Sequence, residues 1–406
     1  MEAHAFDFLH SAAGQQQLRQ LTAVTITPDT HLQIAMQLRQ QVDDPALVHA
    51  LLETAVLRQK AVSKFSQAEQ MYFTRDGLQQ ASGELIARYR SQRFAPIGAG
   101  PIADLGCGIG GDSLALCQQA DVVGIDRDVV RLRMAACNVA VYGGNGRFQP
   151  LQADLTQLAP LPVAAFFFDP ARRDEFGRRL RSVQAYRPPL SLADRWLDRV
   201  PHAAIKVSPA ISYAELPPTA EVEFVSVAGD VKEGILWFGA LQTGVQRRAT
   251  LLPGGHTLTD DDTADPLPIR PPQPYLYEPD GAVIRAHLVQ ALGHRLGAAQ
   301  IDPDIAYLTA DNYQQTPFAR CYRLEDHFPF QLKRLRHYLR QRGINQVTIK
   351  KRGSPLDPQW LERKLRLGKD GLPSDSTSHR IIFLTQMAGE AAVLIGTALD
   401  DKRKTG

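Results

Sequence analysis

Asp104-Leu105-Gly106-Cys107-Gly108-Ile109-Gly110-Gly111-Asp112 reads as a strand end, a glycine-rich turn and the start of a helix, and this stretch decides the fold. Glycines at alternate positions bring the backbone close to a ligand that side chains would block. The following helix points its N-terminal amides into the same crevice. Outward from the turn, short β-branched or aromatic segments alternate with helical patterns at 102–105, 122–126, 147–151, 165–169, 203–207, 223–227 and 235–241. This alternation predicts an α/β domain, with a largely parallel sheet covered by helices on both faces. The last two strands are separated only by residues 228–234, too few for a crossover helix, so they are expected to run antiparallel.

Two acids extend the pattern. Asp126 closes the second strand about 20 residues beyond Gly106, where a carboxylate can bind both hydroxyls of a ribose. Asp154 closes the third and is suited to accept from an adenine amino group, an ordinary solvated turn residue being the other reading. A glycine triplet alone also suits dinucleotide sites, so a nicotinamide-dependent oxidoreductase is a further reading.

With Gly124-Ile125-Asp126 and Asp154 in place, the stretch resembles the class I methyltransferases. That resemblance implies S-adenosylmethionine as cofactor and a Rossmann-like seven-stranded sheet with an antiparallel last strand. By the same resemblance Asp104, Gly106, Gly108 and Gly110 lie against the methionyl part, Asp126 holds the ribose and Asp154 faces the adenine. Asn138-Val139-Ala140-Val141-Tyr142-Gly143, with Gly110-Gly111-Asp112, is similar to trimethylguanosine synthase and its RNA-methylating relatives. This similarity implies that Arg75, in Phe73-Thr74-Arg75-Asp76-Gly77, folds over the cofactor; a helix cap or surface pair is the plainer alternative.

Chemistry is expected after the fourth strand, at Phe168-Asp169-Pro170-Ala171-Arg172, because substrates of open α/β sheets bind at the carboxyl ends of strands. Enzymes that methylate exocyclic amines carry an acid or amide, two prolines and an aromatic there. Asp169 and Pro170 match, whereas Ala171 and Arg172 depart. Asp169 is then a proton acceptor with Arg172 gripping an anionic substrate, or the two form an ion pair that stiffens the loop. Lys206, at the end of the fifth strand, either contacts substrate phosphate or snorkels to solvent.

The flanks divide the chain into a helical cap at 1–96, the α/β domain at 97–245, a Pro/Gly/Asp-rich linker at 246–274 and an α+β domain at 275–406. In the cap, helices are expected over 44–52 and 83–90. In the last domain, helices are expected over 281–289 and 332–339, and strands over 347–350 and 381–384. The net charge of +3 is unevenly spread: residues 320–370 hold fourteen Lys and Arg against five acids, so the remainder is net negative. Phosphate neutralisation dominates nucleic-acid affinity, so this segment suggests an RNA-binding appendage, with Lys350, Lys351 and Arg352 as phosphate contacts. Around Thr348-Ile349-Lys350-Lys351-Arg352-Gly353-Ser354 it resembles the THUMP-like domains attached to methyltransferases, which implies RNA, tRNA among the candidates.

Four cysteines show neither a C-x-x-C pair nor a His at zinc spacing, so no metal site is expected. No apolar run approaches the roughly 20 residues that span a bilayer, and the start lacks a secretory pattern, which points to the cytoplasm. The reading is an S-adenosylmethionine-dependent methyltransferase acting on RNA. Its rival is a non-catalytic RNA-binding protein that keeps the cofactor fold.

Overall fold

The computed structural model describes the chain outside residues 99, 172–181, 263–265, 366, 368–378 and 400–406. It divides into two compact units, residues 1–221 with 233–244, and residues 222–232 with 245–406.

The first unit begins with six helices: α1 (Ala3–His10), α2 (Ala12–Thr22), α3 (Pro28–Arg39), α4 (Pro45–Ala61), α5 (Arg75–Gln80) and α6 (Glu84–Ser91). Their starts are written in the sequence. Ser11, Thr27, Asp44 and Thr74 each accept a backbone amide of the first turn, and Pro28 and Pro45 occupy positions where no amide is needed.

Six strands follow in the spatial order β3-β2-β1-β4-β5-β7. They are β1 (Ile102–Leu105), β2 (Val122–Asp126), β3 (Phe148–Gln152), β4 (Ala165–Phe168), β5 (Ala203–Val207) and β7 (Asp230–Phe238), with β6 (Glu221–Val227) preceding β7 in the chain. Pairing is parallel from β3 to β5, and β7 runs antiparallel to β5. Helices α7 (Ser113–Leu116), α8 (Val129–Val141) and α9 (Leu192–Leu197) lie between strands. The turn before β7 is shorter than expected. Ala228 and Gly229 take φ of 51° and 92°, the conformation of a two-residue hairpin turn, so β7 starts at Asp230.

The helical segment is not a separate cap. Phe6, Leu9, Leu51, Phe65 and Phe73 share one apolar core with Ile102, Val122, Ala165, Phe167 and Trp237. A boundary at 96 would cut through that core.

The expected linker at 246–274 also gives way. It holds β8 (Arg247–Leu252), whose last four residues are buried, and β9 (His256–Thr259). β8 pairs parallel with β6 and antiparallel with β9. Pro253, Gly254 and Gly255 therefore make a turn between strands rather than a tether.

The second unit contains a seven-stranded sheet in the order β11-β12-β10-β13-β16-β15-β14. Its strands are β10 (Tyr275–Pro279), β11 (Ala299–Gln300), β12 (Leu308–Ala310), β13 (Ala319–Pro329), β14 (Gln346–Lys351), β15 (His379–Met387) and β16 (Glu390–Ala398). The helix expected over 281–289 is broken into α10 (Gly281–Arg285) and α11 (Val289–Leu296) at His287, whose φ is 57°. Helices α12 (Leu332–Gln341) and α13 (Pro358–Leu365) bury Leu335, Leu339, Leu361 and Leu365 against Ile382, Leu384, Val393 and Ile395. Ile381, Phe383 and Leu394 turn to the other face and pack with Leu276, Tyr307 and Tyr322, as the two-residue period of a strand requires. Among the described residues, no helix is long and apolar enough to cross a membrane.

Candidate active site

β1, β2, β4 and β5 are parallel, so their carboxyl ends share one edge, and the glycine turn leaves β1 there. Gly106, Gly108 and Gly110 have φ of 80°, 53° and 82°, a region glycine enters without strain. The amides of Gly106 and Cys107 donate to the Ile125 carbonyl at 2.8 and 3.0 Å, pinning the turn to β2. A Cβ on Gly108 would meet nothing within 4 Å, whereas one on Gly110 would come within 3.0 Å of the Ala135 backbone on α8. The first glycine thus leaves room over the turn, and the second admits the helix.

Asp126 sits at the end of β2. Its carboxylate accepts the Gly108 amide at 3.0 Å and the Asp128 amide at 2.9 Å, so the acid and the turn are locked together. Asn138, fully buried on α8, accepts the Tyr72 amide and donates to the carbonyls of Tyr72 and Ile109, tying the helical segment to the turn.

Asp104 is buried beneath the turn and accepts the Ser113 hydroxyl. Burial, reinforced by the charge of Asp112, pushes its carboxyl up to about 8. Folded protein therefore holds a proton that the unfolded chain releases near 3.8. Asp104 favours folding fully below that lower value, and the contribution is lost as pH rises to about 8. An Asp104→Asn variant should gain stability on the wild type as pH rises through this window, by at most roughly 1.4 kcal/mol per pH unit. Thermal melts from pH 5 to pH 8 would check this, and parallel curves would contradict it.

Asp154 is exposed, and its carboxylate accepts the hydroxyl and the amide of Thr156, which hold it below the usual carboxylate range. Arg75 also stands outward, its guanidinium 2.8 Å from Glu53 on α4. Both side chains thus stand exposed, each with a partner within the first unit.

At the end of β4, Asp169 is partly exposed and Pro170 is buried; Arg172 lies outside the described residues. Lys206 does not stand at the surface as a phosphate contact would. It is 3% exposed, and its ammonium donates to Asp169 at 2.6 Å and to Ser82 at 3.0 Å. Its position as an inward residue of β5 explains this, since all five residues of that strand are buried.

Sequence reasoning missed what lies behind Lys206. The buried Arg90 on α6 pairs with Asp112 and Glu233, donates to Ser82 and lies 4.5 Å from the Phe167 ring centre. Burial alone would lower its basicity, but the two carboxylates more than offset this and raise it above the usual value. A continuous polar chain thus runs from Glu233 through Arg90, Ser82 and Lys206 to Asp169. One signal was available: Arg90 falls on the same helical stripe as the buried Ile86 and Ala87.

In the second unit, Lys350 and Arg352 are partly buried and share Glu278, which also accepts the Tyr322 hydroxyl. Burial tends to raise the Glu278 carboxyl, but its bonds, led by Lys350, hold it below the usual range. These two cations thus have a carboxylate partner within the second unit, whereas Lys351 is exposed.

Residues 319–398 match the family model described as THUMP domain-like, and residues 2–61 match a domain of unknown function. The crystal structure of a proposed methyltransferase from Porphyromonas gingivalis W83 superposes with a TM-score of 0.74 at 22% identity, covering 95% of this chain and 98% of that one, and shares its fold. Two proteins of Mycobacterium tuberculosis, from strains CDC 1551 / Oshkosh and ATCC 25618 / H37Rv, are described as uncharacterised S-adenosylmethionine-dependent methyltransferases. Each is 37% identical over 333 residues, covering 78% of this chain and 88% of its own length. Similarity of that depth along most of both chains, with a glycine turn and the Asp126 carboxylate locked together, makes this protein a member of the S-adenosylmethionine-dependent methyltransferases.

Proposed function

We propose that the protein methylates RNA, with Asp169 accepting the proton released by the attacking atom of the substrate. The observation that carries the RNA assignment is the excess of basic residues at 320–370, within the THUMP-like segment. Bound S-adenosylmethionine supplies an electrophilic methyl group. The chain's own residues do the rest: the open turn at Gly106 and Gly108 receives the methionyl part, Asp104 lies beneath it, and Asp126 accepts from the ribose hydroxyls. Asp154 offers a carboxylate toward the adenine from an exposed turn, so its part in affinity is the smaller. Lys206 positions Asp169, and Ser82 in turn fixes Lys206.

Loss of Asp126 removes a charged acceptor for two hydroxyls. Asp126→Ala should weaken S-adenosylmethionine binding roughly a hundredfold, measured by calorimetry on protein whose circular dichroism is unchanged. Undiminished affinity would move the ribose elsewhere. The RNA assignment is tested by mass spectrometry of nucleosides from cells with and without the gene. One methylated nucleoside should disappear with the gene, and identical profiles would count against an RNA substrate.

A further inference from the structure

We infer that the outer face of α12 is the surface through which the second unit grips RNA phosphates, an inference that rests on the RNA assignment above. Helix α12 carries Lys333, Arg334, Arg336, His337 and Arg340, and no acid. Leu335, Tyr338 and Leu339 are buried against the sheet, and Lys333, Arg334, His337 and Arg340 are exposed. Lys333, His337 and Arg340 follow helical spacing down the centre of that exposed face, over about 10 Å of helix.

Arg340 in the last turn, Arg334 over the Phe328 ring and Arg336 on the Lys364 carbonyl find favourable partners, but the rest of the arrangement works against the helix. Arg336 and Arg340 are a like-charged pair four apart, as are Lys333 and His337 when the histidine is protonated, and such pairs destabilise a helix. Lys333 and Arg334 stand in the first turn, the positive end of the helix dipole, with neither an acid there nor a side-chain cap from Gln331. A face assembled against its own helix is accounted for by a polyanion that neutralises it. The contrast with Lys350 and Arg352, already neutralised by Glu278, is direct.

Binding of the full chain to unfractionated transfer RNA across a salt series tests this. The Lys333→Gln/Arg340→Gln variant should bind roughly tenfold or more weakly near 0.1 M salt, with the slope of log affinity against log salt shallower by about 1.5. Its melting temperature should be unchanged or raised, because a like-charged face has been relieved. An Arg19→Gln/Arg39→Gln variant loses the same charge from exposed positions on α2 and α3 and should bind as the wild type does. Equal binding by the α12 variant and the wild type would overturn the inference and leave the RNA assignment standing. Failure of the wild type to bind either transfer RNA or total cellular RNA would overturn both.

Discussion

Asp169→Ala should slow methyl transfer by roughly 10²–10⁴-fold, the range associated with losing a general acid or base, while S-adenosylmethionine affinity barely changes. The carboxylate stands at the end of β4 with its side chain 21% exposed, and the ammonium of the buried Lys206 bonds it from behind. It is thus accessible at the sheet edge and held in one orientation. Alanine also strands the Lys206 charge, so stability can fall together with the rate. Asp169→Asn separates the two effects, because it keeps the shape and most of the packing but cannot take a proton. Single-turnover transfer, read beside calorimetry on the same samples, should show Asn as slow as Ala with cofactor binding intact. A wild-type rate in Asp169→Asn would remove the residue from the chemistry.

Arg90→Met should cost about 3–5 kcal/mol of stability, because two carboxylates are left without their cation in the protein interior. Asp112 and Glu233 are 12% and 2% exposed, and Ser82 loses a donor as well. Methionine fills much of the space over Phe167, so the loss reports charge more than cavity. Chemical denaturation measures it. Combining Arg90→Met with Glu233→Leu should recover part of the loss, since the second change removes one of the stranded charges. A loss below about 1 kcal/mol, typical of exposed pairs, would contradict the structural role given to this network.

The difference between these two sites explains what could be read from sequence. Backbone features are local, so the turn at Gly106 to Gly110, the acid at Asp126 and the antiparallel β7 follow from spacing alone. Contacts between distant segments are not local. Ser82, Arg90, Lys206 and Glu233 meet only because α6 packs against the strand ends, and Lys206 therefore reads as a surface cation until the fold buries it. Glu278 likewise lies more than 70 residues from Lys350, and nothing near the basic run announces the acid that claims it. The strand β13 escaped notice for another reason: charged residues interrupt its apolar ones from Arg320 to His327, so no dense apolar run marks it. The region at 246–274 misled through its composition, because turn-forming residues separate β8 from β9 as readily as they separate domains.

Action on RNA is decided by incubating the purified protein with total cellular RNA and S-adenosylmethionine labelled in its methyl group. Label should enter RNA with the wild type and almost none should with Asp169→Ala. Label that enters proteins or small molecules but never RNA, from a protein that binds the cofactor, would contradict it.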